Sequence, residues 1–315
     1  MPVAIHADHL RKVYPHSPPG VAALDDLSID VPTGGVYGLI GRNGAGKTTF
    51  VRISATQLEL TSGSVSVLGY DVRAQEREVR TRIACVPQES RPLYFLNVEE
   101  VVYLYLKLRG LDRVEARRRT RDALEELSLT EYRHRSVQRL SGGLRRRALC
   151  AMVLASDAEV LFLDEPTTGL DPIARRQVWE AIRRTIREHR TIVLTTHYLD
   201  EAEALSTRLA LVERGRLMLE GTPADLRARV RYPYRVTLEG AFPRSELEPF
   251  GRVSAVEGGW IVFTREAEAR EIARRALERG VRLSMGPVSL EDIFLDVVGR
   301  KIESESETEA EEVAA

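Results

Sequence analysis

The chain has 315 residues, 43% of them hydrophobic and 30% charged, with a formal net charge of −1. These values exclude a disordered chain and one embedded in a bilayer, and the length suits two or three compact units with sizeable cores. No apolar run approaches the roughly 20 residues needed to cross a membrane, and the start, MPVAIHADHL, lacks the basic end and apolar stretch of a secretory leader, so a cytosolic protein is expected.

Charge is unevenly spread. Residues 302–315 carry six glutamates and no base, which leaves the remainder mildly basic. Only four lysines occur, Lys12, Lys47, Lys107 and Lys301, so arginine fills nearly every cationic position. That usage fits coding bias better than a nucleic-acid surface. Cys85 and Cys150 sit in apolar runs without metal-ligand spacing and are expected to be reduced and buried.

In chain order, β-rich runs dominate from Val3 to Ile40. GVAALDDLSIDV has the pattern of a strand pair, and GVYGLI that of a compact apolar strand. Residues 41–49 form a glycine-rich loop, after which TTFVRISATQLEL continues with helical spacing to a break at TSG. SVSVLGYDV and RIACVPQ read as strands. A helical insertion covers about 89–145, with Val98, Val101, Val102 and Tyr105 on one face. An apolar strand, EVLFLDEP, follows, then an amphipathic helix around RRQVWEAIRRTIREH, the strand TIVLTTH, the helix YLDEAEALS and a hairpin, RLALVERGRLMLEG. This alternation predicts an α/β domain over 1–225, its parallel sheet carrying helices on both faces.

Residues 226–300 read as a small α+β accessory domain. YRVTLEG and VSAVEGGWIVFT suggest strands with a turn at Gly258-Gly259, and EAEAREIARRALERG a helix stopped by Gly280. SLEDIFLDVVG predicts a capped helix with Leu290, Ile293, Phe294, Val297 and Val298 on one face. The acidic stretch 301–315 is expected to be disordered.

The strongest chemical signal is GRNGAGKT at 41–48, a G-x-x-x-x-G-K-[ST] string between a predicted strand and a predicted helix. Gly41, Gly44 and Gly46 allow the backbone to turn with positive φ and aim successive N–H groups at a phosphate, helped by the helix dipole. Lys47 supplies a point charge to the β and γ phosphates, and its retention in an arginine-rich chain fits a pocket too small for a guanidinium. Thr48 suits Mg²⁺. Two adjacent acids end VLFLDEP, and two carboxylates there are costly to bury without a cation. Asp164 suits a Mg²⁺-linked role and Glu165 the orientation or deprotonation of water; the plainer reading is that one of them caps the following turn.

Taken together, these motifs resemble the ATP-binding subunits of ABC transporters over roughly residues 5–222. The resemblance implies a P-loop NTPase fold, an ABC-type nucleotide-binding domain with a helical subdomain. It implies that Gly41, Arg42, Asn43, Gly44, Ala45, Gly46, Lys47, Thr48 and Thr49 form the phosphate loop, and that Tyr14 in LRKVYPH is similar to the aromatic that stacks on adenine. Gln88 in VPQES resembles the glutamine-bearing loop that joins Thr48 and Asp164 at the metal. Ser141, Gly142 and Gly143 in LSGGL resemble the family signature, Asp171 in GLDP the loop after the catalytic acid, and His197 in TTH the switch histidine. Each weaker member has a plainer reading: Tyr14 as a core aromatic, Gln88 as a loop amide, His197 as a structural histidine.

What the resemblance further implies is an ATPase that uses ATP and Mg²⁺, with Lys47, Glu165 and His197 in catalysis. Two such domains pair head to tail, the signature of one closing over the ATP of the other, as a homodimer or with a paralogous ATPase subunit. The expected partner is an integral membrane permease, the expected place the inner face of the membrane, peripheral and cytoplasmic. Leu144 departs from the glutamine common in the signature. Arg145, Arg146 and Arg147 are expected as solvated helix residues. GGLRRR and SLEDIFLDVVG resemble exporter-type subunits, which favours export. The alternative is a soluble ABC-type ATPase switch acting on nucleic acid or ribosomes; such relatives usually show paired cassettes, a long coiled-coil insertion or zinc cysteines, and the sequence has none of these.

Overall fold

The computed structural model describes residues 2–15, 21–86, 95–186 and 190–295. Internal contacts divide the chain into two units, Met1–Glu220 and Gly221–Ala315. The expected boundary at 225/226 lies a few residues further on. Gln88, Val297, Val298 and the acidic stretch 301–315 lie outside the described residues.

The first part of the chain runs β1 (Val3–Lys12), β2 (Leu24–Pro32), β3 (Gly35–Ile40), α1 (Lys47–Ser54), β4 (Ser62–Val67), β5 (Tyr70–Asp71), α2 (Glu76–Arg82) and β6 (Ile83–Val86). It continues with α3 (Val98–Leu108), α4 (Arg113–Glu126), α5 (Gly142–Leu154), β7 (Val160–Asp164), α6 (Pro172–Ile186), β8 (Thr191–Thr196), α7 (Leu199–Leu205), β9 (Arg208–Glu213) and β10 (Arg216–Gly221). A six-stranded sheet has the order β10-β9-β3-β8-β7-β6 and is parallel from β9 to β6.

Both faces of this sheet are covered, but not alike. Leu161, Leu163, Ile192 and Leu194 face a core built with the helices α3 to α6. Val160, Phe162 and Val193 face a second core that contains Phe50 of α1 together with Ile5, Leu10, Leu27 and Val65. Those last four belong to an antiparallel sheet of order β2-β1-β4-β5. Helices do lie on both faces, as expected, but unequally: one face carries α3 to α6, the other α1 and α2 together with a second sheet that the alternation does not predict. Double coverage explains the apolar stretches 160–163 of β7 and 192–194 of β8, since every residue in each strand is buried.

Two further expectations change. GVAALDDLSIDV holds one strand, β2, which pairs with β1. The Asp25-Asp26 dipeptide lies at an irregularity in that strand: Asp26 has φ 63°, the register shifts between Ala7 and Leu10, and Asp26 Oδ1 meets His9 Nδ1 at 2.6 Å. The helix begun in TTFVRIS ends at Ser54, with Thr56 at φ 58° turning the chain toward β4. The insertion consists of separate helices. Asn97 and Glu100 form a reciprocal capping box for α3, whose Val98, Val101 and Val102 are buried and whose Tyr105 is half-buried.

In the second unit α8 (Pro223–Ala228) precedes β11 (Tyr234–Glu239), α9 (Arg244–Leu247), β12 (Arg252–Val256), β13 (Gly259–Thr264), α10 (Glu266–Glu278) and β14 (Arg282–Pro287). These strands form an antiparallel sheet of order β12-β13-β11-β14. Val236, Leu238 and Val262 pack on Ala269, Ile272 and Ala276 of α10. Residues 290–295 are helical, opened by a Ser289–Asp292 box in which each backbone N–H reaches the other side chain, at 2.9 and 3.2 Å. Leu290 and Ile293 are buried there. No helix among the described residues is long and apolar enough to cross a membrane.

Candidate functional site

Parallel strands deliver their carboxyl ends to one edge, which is where open α/β sheets place ligands. Ile40 at the end of β3 sits opposite Thr196 of β8, and Asp164 at the end of β7 sits opposite Thr195 of β8. This register gathers the 41–48 loop, Asp164, Glu165 and His197 beyond three adjacent strands.

The loop is built by close approach. A Cβ on Gly41 would lie 2.2 Å from the carbonyl oxygen of Val212. Gly46 has φ 106°, where a Cβ would lie 2.5 Å from the carbonyl oxygen of Ala23, and it caps α1, whose first residue is Lys47. Lys47 is buried; its Nζ donates to the carbonyls of Gly41 at 2.7 Å and Arg42 at 3.1 Å. Burial pushes the ammonium below its ordinary range, opposed by the charges of Glu165, Asp164 and Glu213. Arg42, Asn43 and Gly44 are exposed, whereas Ala45 is buried. Thr49 is buried and its hydroxyl meets Tyr14 Oη at 3.2 Å, which brings Tyr14 to the start of α1.

The two acids have different surroundings. Asp164, 1% exposed, accepts from Thr48 Oγ1 at 3.2 Å and from the Thr195 hydroxyl, both on Oδ1. Burial pushes its carboxyl up, opposed by those two hydroxyls. Thr48 Oγ1 and Asp164 Oδ1 form a pair of hard oxygens that suits Mg²⁺, an ion that takes one or two protein oxygens and completes its shell with water and phosphate. Glu165 leaves the strand with φ 50°, so its side chain escapes the alternation that would turn it away from Asp164. Its backbone N–H donates to Thr195. Its carboxylate accepts from Thr168 Oγ1 at 3.2 Å and lies 3.3 Å from His197 Nδ1.

The remaining sequence candidates lie elsewhere. Ser141 caps α5, accepting from Leu144 N at 3.3 Å, and Ser141 and Gly142 are exposed while Gly143 is half-buried. Leu144 is buried in the helical core, so the position that departs from glutamine contributes packing. Asp171 is exposed and caps α6 by accepting from the N–H groups of Ile173 and Ala174 at 3.0 and 2.9 Å. The expectation that Arg145, Arg146 and Arg147 are solvated is overturned for two of the three. Arg146 is 9% exposed and donates to the carbonyls of Asp164, Glu165 and Pro166. Arg147 is half-buried and reaches the Leu127 carbonyl and Gln177 Oε1.

Three contributors escaped the sequence reading: Thr195, Thr168 and Arg146. Thr195 had a signal, a hydroxyl at the end of an apolar strand just before His197. Arg146 had one in helix phase, because it shares a face with buried Cys150 and Val153. Thr168 had none.

The sequence profile of the ABC transporter family matches residues 24–168. The chain is 35% identical to the daunorubicin/doxorubicin resistance ATP-binding protein DrrA of Streptomyces peucetius, over 98% of this chain and 96% of that protein. It is 36% identical to the Nod factor export ATP-binding protein I of Burkholderia thailandensis, over 89% and 93%. Among solved structures, an ATP-binding subunit of an ABC transporter superposes with a TM-score of 0.66 at 26% identity, covering 72% of this chain and 92% of the other.

Proposed function

The chain belongs to the family of ABC transporter ATP-binding proteins, and from that premise we propose that it is the ATP-hydrolysing subunit of an exporter, one half of a closed pair that drives a separate membrane permease. The N–H groups of residues 41–48 and Lys47 hold the β and γ phosphates, with the positive end of α1 beneath them. Tyr14 stacks on the base. Thr48 and Asp164, with Gln88, would hold Mg²⁺, which would supply charge neutralisation at the phosphates. Glu165 orients a water toward the γ-phosphorus and accepts its proton, and His197 and Thr168 keep the carboxylate aimed. Ser141, Gly142 and Gly143 of the second chain close over the nucleotide from the other side, and their exposure at the start of α5 is consistent with that task.

The binding of ATP closes the pair and hydrolysis reopens it, so the permease alternates between two states. Relatives named for drug resistance and Nod factor export support export over a soluble switch acting on nucleic acid or ribosomes. Action on a permease places the protein peripherally at the inner face of the membrane.

The observation that supports this reading most is the meeting of the Lys47 loop, the Thr48–Asp164 pair and the Glu165–His197 pair beyond adjacent strand ends. Glu165→Gln is expected to retain ATP binding and to lower kcat about 10²-fold or more, about 2.7 kcal/mol of barrier. Near wild-type hydrolysis would remove Glu165 from the reaction.

A further inference from the structure

We propose that Arg146 is a positioning residue for Glu165, fixing the turn on which that acid stands from within the signature-bearing helix. The inference rests on the hydrolytic role given above to Glu165. At the exit of β7 the chain makes an abrupt change: Asp164 ends an extended strand, Glu165 is left-handed at φ 50°, and Pro166 follows. A left-handed backbone is unfavourable for a residue with a Cβ and persists only where its surroundings hold it. Here the three successive carbonyls of that turn point to one partner. Arg146 Nη2 donates to the carbonyls of Asp164 and, at 2.7 Å, Glu165, while Nε donates to that of Pro166 at 3.3 Å.

The choice of side chain fits the task. A guanidinium offers five N–H donors in a rigid plane, enough to reach all three carbonyls at once; besides Arg146, the Glu165 carbonyl accepts a long bond from Thr168 N–H at 3.3 Å and that of Pro166 one from the Cys150 thiol at 3.9 Å. An ammonium has three donors about a single nitrogen and reaches such a spread of acceptors less well. Arg146 donates to the backbone carbonyl of Glu165, and through it sets the direction of the Cα–Cβ bond. The carboxylate itself is held by His197 and Thr168.

Position along α5 adds a consequence. Ser141 opens the helix and Arg146 lies five residues on, about 7.5 Å along a rigid rod. A displacement of the first turn when it engages a nucleotide held by a second chain is therefore carried to the carbonyls that orient this chain's own acid.

The test is kinetic, on the full chain. Arg146→Met is expected to lower kcat about 30-fold or more while KM for ATP stays within about twofold, with Arg146→Lys recovering part of the loss. In a Glu165→Gln background, where there is no carboxylate left to aim, adding Arg146→Met should change the single-turnover rate by less than about twofold. An equal loss in both backgrounds, a rise in KM at constant kcat, or wild-type kcat in Arg146→Met overturns the proposal. If Arg146→Met shows no cooperative melt, Arg146→Lys decides: a kcat lowered about fivefold or more at wild-type KM, absent in the Glu165→Gln background, supports it, and anything else overturns it. Absence of hydrolysis in the wild-type protein would sink the proposed function itself, whereas wild-type hydrolysis untouched by Arg146→Met sinks only this inference.

Discussion

Asp164 and Glu165 are neighbours in sequence, and their surroundings separate them. Asp164 is buried among hydroxyls with its carboxyl pushed up by desolvation, which means that its charge at neutral pH costs stability in the nucleotide-free protein. The sign follows from proton counting: a carboxyl raised on folding binds more protons folded than unfolded, so stability falls as pH rises from the ordinary carboxylate range through the raised value. Asp164→Asn should therefore raise the nucleotide-free melting temperature at pH 7 by about 2–4 °C per kcal/mol relieved, and the gain should shrink in scans at lower pH. Lys47 is buried between two loop carbonyls, and Lys47→Arg keeps the charge but not the fit. ATP affinity measured with a fluorescent analogue should drop about tenfold or more, about 1.4 kcal/mol. Burial pushes the thiols of Cys85 and Cys150 to about 12 and about 11, so neither should react readily with a disulfide reagent in the native protein and both should in denaturant. At this scale the contiguous part of the site is legible in the sequence, because a phosphate demands successive N–H groups and hence a continuous string of residues. Thr195, Thr168 and Arg146 reach the site through contacts that only the fold creates, and the three arginines at 145–147 are alike until helix phase is known.

Elements are legible where two faces or one strong cap decide them. β7 and β8 are buried on both sides and announce themselves as apolar runs, and the Ser289–Asp292 box opens its helix as the sequence pattern indicates. β2 misleads because an irregularity built on Asp26 has the composition of a turn. β14 escapes notice because it is a sheet edge with little buried surface, its Met285 among the exposed large apolar residues. The start of α1 permits a sharp test. Gly46→Ala forces a Cβ against the carbonyl of Ala23 and strains φ 106°, so both nucleotide affinity and melting temperature should fall, whereas a merely flexible loop would tolerate the methyl group. In the second unit, Ser289→Ala removes one half of a capping box and should cost about 1 kcal/mol in calorimetric unfolding while hydrolysis by the full chain is unaffected.

For the whole molecule, alternation of strands and helices points to a parallel α/β sheet, and that sheet is present. What covers its second face is not written in any local pattern: the antiparallel sheet of β1, β2, β4 and β5 is recognisable only from long-range pairings such as Ile5 with Val31 and Val67. The same limit applies to the site. Ser141 and Gly142 stand exposed at the head of α5, and the chemistry assigned to them requires a second chain. Complementation tests this central claim most directly. Lys47→Ala disables the phosphate loop and leaves the signature; Ser141→Arg does the reverse. Each variant alone is inactive on this account, but a mixed pair contains one site with an intact loop facing an intact signature. An equimolar mixture should recover ATP hydrolysis to about a quarter of wild type, since half of randomly formed pairs are mixed and one of two sites in each is whole. A mixture no more active than the sum of its two components would contradict a site shared between chains.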